Sequence, residues 1–255
     1  MSLQLYNPTT KSGIIDIIYR NTGADAVKYP LEDIVSDINL AKDKFMSLVL
    51  LSSGKWQIDD SNHTDYPIIT TNLVSGQRDY SFTTDEHGNL ILDIYRVMVA
   101  DENDIFYDLE PVDQQNKDED TLSMVNGQNL TGKPTKYDKT ANGIFLDAIP
   151  DYSATGGLKI FINREATNFS VPTLGVADTT KPGFVGLFHE YLATRPTAYY
   201  AQRKGLKNAN FWVNELIKYE GSEALRLNGS IKNYYANRSK DERIILKPES
   251  ITDYI

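Results

Sequence analysis

The apolar residues of this chain change their spacing twice, and that change limits what the chain can fold into. Over Leu31–Ser52, the residues Leu31, Ile34, Val35, Ile38, Ala41, Phe45, Leu48, Val49 and Ser52 recur every three or four positions. That interval lays side chains along one stripe of a helix. From about residue 56 to residue 164 the apolar residues alternate or run together in short blocks, as they do in strands. From Phe184 the helical interval resumes through Leu187, Phe188, Tyr191, Leu192, Arg195, Ala198 and Tyr199. An apolar stripe has to be buried against another element. Two such stripes flanking a strand-rich middle bury each other most simply. The expected class is therefore α+β, a discontinuous helical bundle with an inserted antiparallel β module.

Local signals place the boundaries. Pro30 stands at the start of the long helix, where a missing N–H costs nothing, and Gly54 follows as a C-cap. A shorter helix is expected over residues 12–20, carrying Ile14, Ile15, Ile17 and Ile18 and closed by Asn21-Thr22-Gly23. Strands are expected at 66–71 and 79–82 around a Ser75-Gly76-Gln77 turn, at 90–99 with a hairpin partner at 105–109, and at 134–138, 143–147 and 158–163. Asn142-Gly143 is a hairpin signal. Residues 168–183 form a Pro/Gly/Thr-rich connector. Pro196 is expected to kink or divide the helix that follows, and Gly221 to weaken a last helix running from about Asn208 through Trp212, Leu216, Tyr219, Glu223 and Leu227. The division that results is a helical domain from 12–55 and 184–237, a β module over 56–167, a connector over 168–183, and an extended C-terminal arm over 238–255.

Composition narrows the function classes. The chain's 255 residues are 40% apolar and 24% charged, enough for a packed core without staples. It has no cysteine, which removes disulfide scaffolds, thiol nucleophiles and cysteine-based metal sites. Aromatic content is mostly tyrosine, 16 Tyr against 9 Phe and 2 Trp, a residue that suits interfaces as well as β surfaces. The first residues, Met1-Ser2-Leu3-Gln4-Leu5-Tyr6-Asn7-Pro8, lack a basic start and apolar run, so no secretory signal is expected. No window nears the roughly 18 to 20 apolar residues of a membrane span. Asn-x-Ser/Thr triplets at Asn62, Asn129, Asn168, Asn228 and Asn237 then read as chance.

The net charge of −9 argues against a dedicated nucleic-acid binder, but it is unevenly spread. Residues 195–247 hold eleven basic and five acidic side chains, a net +6 that leaves −15 for the remainder. A solvated helix face is the bland explanation. Contact with a partner of complementary charge is the sharper one.

Catalytic chemistry has little to stand on. There are three histidines, and His63, His87 and His189 each read as loop or surface residues. His189-Glu190 is followed by Tyr191-Leu192-Ala193, so the second histidine of a zinc-protease helix is missing. No nucleophile elbow, phosphate-binding loop or dinucleotide glycine fingerprint is present. Asp113, Asp118, Glu119 and Asp120 lack the glycine and terminal glutamate of an EF-hand loop, and Asp59-Asp60 reads as a turn. No catalytic, cofactor-binding or metal-ligating residue is assigned, no cofactor is expected, and the chain is expected not to be an enzyme.

One ordered set of motifs is informative. It begins with the amphipathic helix and Val74-Ser75-Gly76-Gln77-Arg78-Asp79-Tyr80-Ser81-Phe82, then Leu92-Asp93-Ile94-Tyr95-Arg96-Val97. Gly132-Lys133-Pro134-Thr135-Lys136-Tyr137, Asn142-Gly143-Ile144-Phe145-Leu146-Asp147-Ala148-Ile149-Pro150 and Leu158-Lys159-Ile160-Phe161-Ile162-Asn163-Arg164 follow. A helical block with Phe188-His189-Glu190-Tyr191-Leu192-Ala193 and Ala198-Tyr199-Tyr200-Ala201 completes it. In this order the chain resembles the head-to-tail adaptor proteins of short-tailed bacteriophages, related to tail tubular or ring proteins bound beneath the portal. The likeness runs over about residues 31–224 and rests on the order and separation of the motifs.

The resemblance implies a structural virion protein at the head–tail junction, made in the host cytoplasm. It implies a homo-oligomeric ring, commonly a dodecamer, that extends the DNA channel and docks the tail. Its partners would be the portal protein and tail or further ring proteins, with double-stranded DNA passing through the lumen during ejection and no membrane contact. By analogy, the helical block and the 238–255 arm would face the portal. Other virion parts (a tail terminator, stopper or minor head protein) share this profile. A carbohydrate-binding β module fits the aromatic strands but not the two helical regions.

Overall fold

The computed structural model describes residues 3–52, 68–84, 88, 90–112, 130–140, 143–222 and 224–239, the last three without their side chains. Helices and sheets are both present, so the chain is α+β. Five helices are described: α1 (Ile14–Thr22), α2 (Leu31–Ser52), α3 (Tyr191–Arg203), α4 (Ala209–Glu220) and α5 (Ser230–Ser239). The strands are β1 (Ile68–Leu73), β2 (Asp79–Ser81), β3 (Ile91–Ala100), β4 (Phe106–Asp108), β5 (Glu110–Val112), β6 (Lys136–Thr140), β7 (Gly143–Leu146), β8 (Ala154–Arg164), β9 (Gly221–Ser222) and β10 (Leu227–Asn228).

The helices share one apolar core. Asp16 caps α1, its Oδ2 accepting the N–H groups of Asn7 (2.8 Å) and Gly13 (3.2 Å). Gly23 closes the helix in the left-handed conformation at φ 67°, its N–H donating to the Tyr19 carbonyl. Every apolar position of the α2 stripe from Leu31 to Val49 is buried. Phe45 sits at the centre, stacked on Phe184 with ring centroids 3.9 Å apart. Phe188, Tyr191 and Tyr235 surround it at 5.9 to 6.0 Å. Such ring pairs add about 0.5–1.5 kcal/mol each beyond their buried area. This core draws residues from both ends of the described chain, Leu5 to Val49 and Ala166 to Tyr235.

The strands build a second core from two four-stranded sheets, ordered β1-β8-β3-β4 and β2-β7-β6-β5. Leu73, Val97, Leu158, Ile160 and Ile162 from the first meet Tyr80, Tyr137, Ile144 and Leu146 from the second. The Lys139–Asp93 ion pair, 2.6 Å, ties β6 to β3 across the sheets. The turn after β1 carries the chain from one sheet to the other, because β1 pairs with β8 and β2 with β7. The hairpin signalled by Asn142-Gly143 forms, with Thr140 opposite Gly143.

Several expectations need correction. The β module is not wholly antiparallel: β5 runs parallel to β6, with Glu110 opposite Lys136. The 23 residues between these strands are long enough to carry the crossover that parallel pairing requires. Pro196 does not divide its helix. A short 3₁₀ turn at Gly186–Phe188 comes first, and α3 runs from Tyr191 to Arg203 with Pro196 buried inside it. Only the bond to the Leu192 carbonyl is forfeited there, and packing on this buried face offsets the loss. Gly221 ends α4 outright. It lies at φ 83°, and a Cβ there would sit 2.4 Å from the Leu227 carbonyl oxygen, so the two-residue β9–β10 hairpin can close only over glycine. Helix α5 includes residues 238 and 239, which belonged to the expected arm. Residues 240–255, Gly54 and Asn142 lie outside the described residues.

The connector is built into the helical core. Tyr6 bridges Asp178, Leu5 N–H donates to the Thr180 carbonyl, and Phe169 is buried. Where β8 leaves the sheet, Asn39 of α2 grips Phe169 with two bonds, Nδ2 to its carbonyl (3.0 Å) and Oδ1 from its N–H (2.9 Å). One turn on, Lys42 is only 3% exposed. Its ammonium donates to the Ala166 carbonyl at 2.6 Å and to Asn168 Oδ1.

Candidate interaction surface

Of the histidines and acidic residues singled out for chemistry, only His189 is among the described residues. His63, His87, Asp59, Asp60, Asp113, Asp118, Glu119 and Asp120 lie outside the described residues, as do Asn62 and Asn129. His189 is not a surface residue: it is 1% exposed. Its Nδ1 accepts the Leu3 N–H at 3.0 Å, and Nε2 sits 2.8 Å from the Phe184 carbonyl, so Nε2 carries the proton. Burial depresses its pKa below the usual histidine value, which suits a neutral clamp on the amino-terminal segment. Asn168 is held by Lys42, and Asn228 lies in β10. Among the described residues no three His, Cys, Asp or Glu side chains stand together to hold a metal, and no helix is long and apolar enough to cross a membrane.

Paired charges knit the helices instead. Asp37 Oδ2 accepts Tyr29 OH and Arg203 Nη2, both at 2.5 Å, and Tyr29 stacks on Tyr200. Burial, and then the Asp37 carboxylate, push the Tyr29 phenol above its ordinary range, so it remains a donor. At the end of α4, Glu220 Oε1 accepts Tyr191 OH at 2.6 Å and Arg195 Nε at 3.0 Å. Arg195 then reaches Tyr199 OH and the Leu40 carbonyl.

Beyond Glu220 the surface opens into a groove of about 420 Å³ between α2, the β9–β10 hairpin and α5, lined by Lys44, Leu48, Glu220, Arg226, Leu227 and Lys232. None of Lys44, Arg226 and Lys232 forms an ion pair with a described carboxylate. Leu225 and Leu227 on the hairpin are 60% and 54% exposed. Arg226 holds φ 52°, a left-handed conformation that costs a non-glycine residue about 1 kcal/mol or more. A strained arginine flanked by exposed leucines, with two lysines that likewise form no ion pair among the described residues, has the composition of a contact surface. The sequence signal for it was the excess of basic residues over 195–247; the groove needed the turn at Gly221, which periodicity does not report.

The segments that carry the family resemblance also meet. Gly76 N–H donates to the Pro150 carbonyl, Ser75 N–H to Ser153 Oγ, and Leu146 N–H to the Arg78 carbonyl. Arg78 lies 4.1 Å over the Phe145 ring and donates from Nε to the Leu146 carbonyl. Thr135 donates from both N–H and Oγ1 to Asp147. Residues 74–82, 132–137 and 143–150 thus form one interlocked corner of the sheets. Compared with known proteins, the sequence matches no protein-family model and no curated protein.

Proposed function

We propose that this protein is a non-enzymatic structural subunit of a tailed-phage virion, a head–tail adaptor that assembles as a ring beneath the portal. The observation that carries this reading is the interlocked corner just described. Three motif segments spread over more than 70 residues pack into one unit, which supports reading their order in the chain as one piece of architecture. The division of labour fits as well. A helical core and an antiparallel-dominated strand core offer separate faces for separate neighbours. The charge asymmetry favours association between unlike surfaces.

The test is assembly. The purified full chain, mixed with the portal protein of the same phage, should give a ring of many copies by electron microscopy, twelve if the resemblance holds in detail. A chain that stays monomeric and neither binds portal nor forms rings would sink the proposal. Removal of residues 238–255 should weaken portal binding. Unchanged binding would count against the helical face as the portal side.

A further inference from the structure

Building on the ring reading, we propose that the groove beside the β9–β10 hairpin receives the acidic β3–β4 turn of a second copy of this chain, so that protomers join head to tail. The turn, residues 101–105, bears the carboxylates of Asp101, Glu102 and Asp104 beside Ile105, which is 63% exposed. Asp101 Oδ1 accepts the N–H groups of Asn103 (2.9 Å) and Ile105 (3.0 Å), which fixes the turn and holds the Asp101 carboxyl below its usual range. Three anions and one apolar side chain stand on this turn. Three cations with no ion pair among the described residues, and exposed leucines, stand at the groove. The two surfaces are complementary in charge and in character.

A chain cannot satisfy its own groove this way. Strand β3 begins opposite the end of β8, with Ile91 paired to Arg164, two residues before the Ala166 carbonyl that Lys42 holds. The turn lies at the other end of β3, ten residues away, or about 30 Å along a strand. The turn therefore points away from the helical core, where another copy can take it. Long-range charge points the same way, since residues 56–167 carry twenty acidic and eight basic side chains. A nucleic-acid backbone is a poorer occupant, because the exposed Leu225 and Leu227 would face phosphates with no apolar side chain such as Ile105 to cover them. A contact between two different patches on identical chains repeats from copy to copy and closes into a ring when the rotation permits.

The absence of cysteine makes a clean test possible. The full chain carrying both Ile105→Cys and Leu227→Cys, at high concentration and low salt, is treated with a short bismaleimide. The expected product is a ladder of covalent oligomers beyond the dimer, lost when Arg226→Glu and Lys232→Glu are added and lost in high salt. Either cysteine alone should give no ladder. Dimers from Leu227→Cys alone would mean a symmetric contact and would overturn the proposal. So would protection of that cysteine by portal but not by further copies of the chain. Rings in the microscope without a ladder would also overturn this contact while leaving the adaptor reading intact. A ladder without portal binding would support the contact and count against the adaptor reading.

Discussion

Replacing Lys42 by methionine removes one buried ammonium and keeps the volume of its side chain, and two effects then oppose each other. Lys42 is 3% exposed and donates to the Ala166 carbonyl and Asn168 Oδ1. A hydrogen bond from a charged group is worth about 1.5–3 kcal/mol net, so losing two would cost about 3–6 kcal/mol. The cost of holding the ammonium out of water disappears with it, however, and that cost is itself several kcal/mol. What remains is what the partners lose. Asn168 and Asp43, whose Oδ1 lies 3.3 Å from the ammonium, are exposed and can turn to water, whereas the buried Ala166 carbonyl is orphaned at about 1–3 kcal/mol. The expected loss is therefore about 2 kcal/mol, a fall in Tm of about 4–8 °C for a chain of this size. Urea unfolding at neutral pH measures it, with Lys28→Met, an exposed lysine, as a control expected to move by less than about 0.5 kcal/mol. The Phe169 amide should also exchange faster in Lys42→Met, because one of the two anchors on α2 is gone. An unchanged or raised stability would refute the reasoning, since the ammonium's burial would then outweigh its bonds.

Phe45→Ala should cost about 3–5 kcal/mol in urea unfolding, since it empties the centre of five packed rings. A loss below about 1 kcal/mol would mean the core closes around the gap. Gly143→Ala should destabilise by more than about 2 kcal/mol, because the added Cβ would fall 2.3 Å from the Tyr80 carbonyl oxygen and force β2 off β7; a urea midpoint equal to the parent's would refute this. The neutral His189 clamp makes stability depend on pH. Its folded pKa is depressed, so the unfolded chain binds the extra proton first, and stability complete above about pH 6.5 declines as pH falls toward the folded value. His189→Asn should flatten that slope between pH 7.5 and 5.5, and an unaltered slope would assign it to other groups.

Much of the helical half was legible because apolar spacing reports which face is buried. The α2 stripe, the Pro30 start and the Gly23 stop all stand where the pattern put them. Spacing does not report the partner, and the misses follow from that. Lys42 is a lysine inside an apolar stripe, and only the carbonyl it meets 124 residues later explains its burial. His189 read as exposed because its acceptor role depends on Leu3, 186 residues away. Strand β5 has three residues and contains Pro111, too little signal to register as a strand, so its parallel pairing went unforeseen. Gly221 looked like a weak point in a helix; its backbone conformation, not its propensity, makes it an end. The candidate surface was visible only as an excess of charge until that turn folded the hairpin beside α2.

Strand β8 is hydrogen-bonded along both edges, to β1 and β3, and one end is bolted to α2 through Asn39 and Lys42. Mechanically it is a beam fixed at its base. Tilting such a beam by about 5° carries its free end ~3 Å, given ~3.3 Å of rise per residue over its length. Adjustments of a few tenths of an ångström around the lysine would thus be magnified about tenfold at the remote rim of the sheet, so the packing of one buried side chain sets where the far end of the strand core stands.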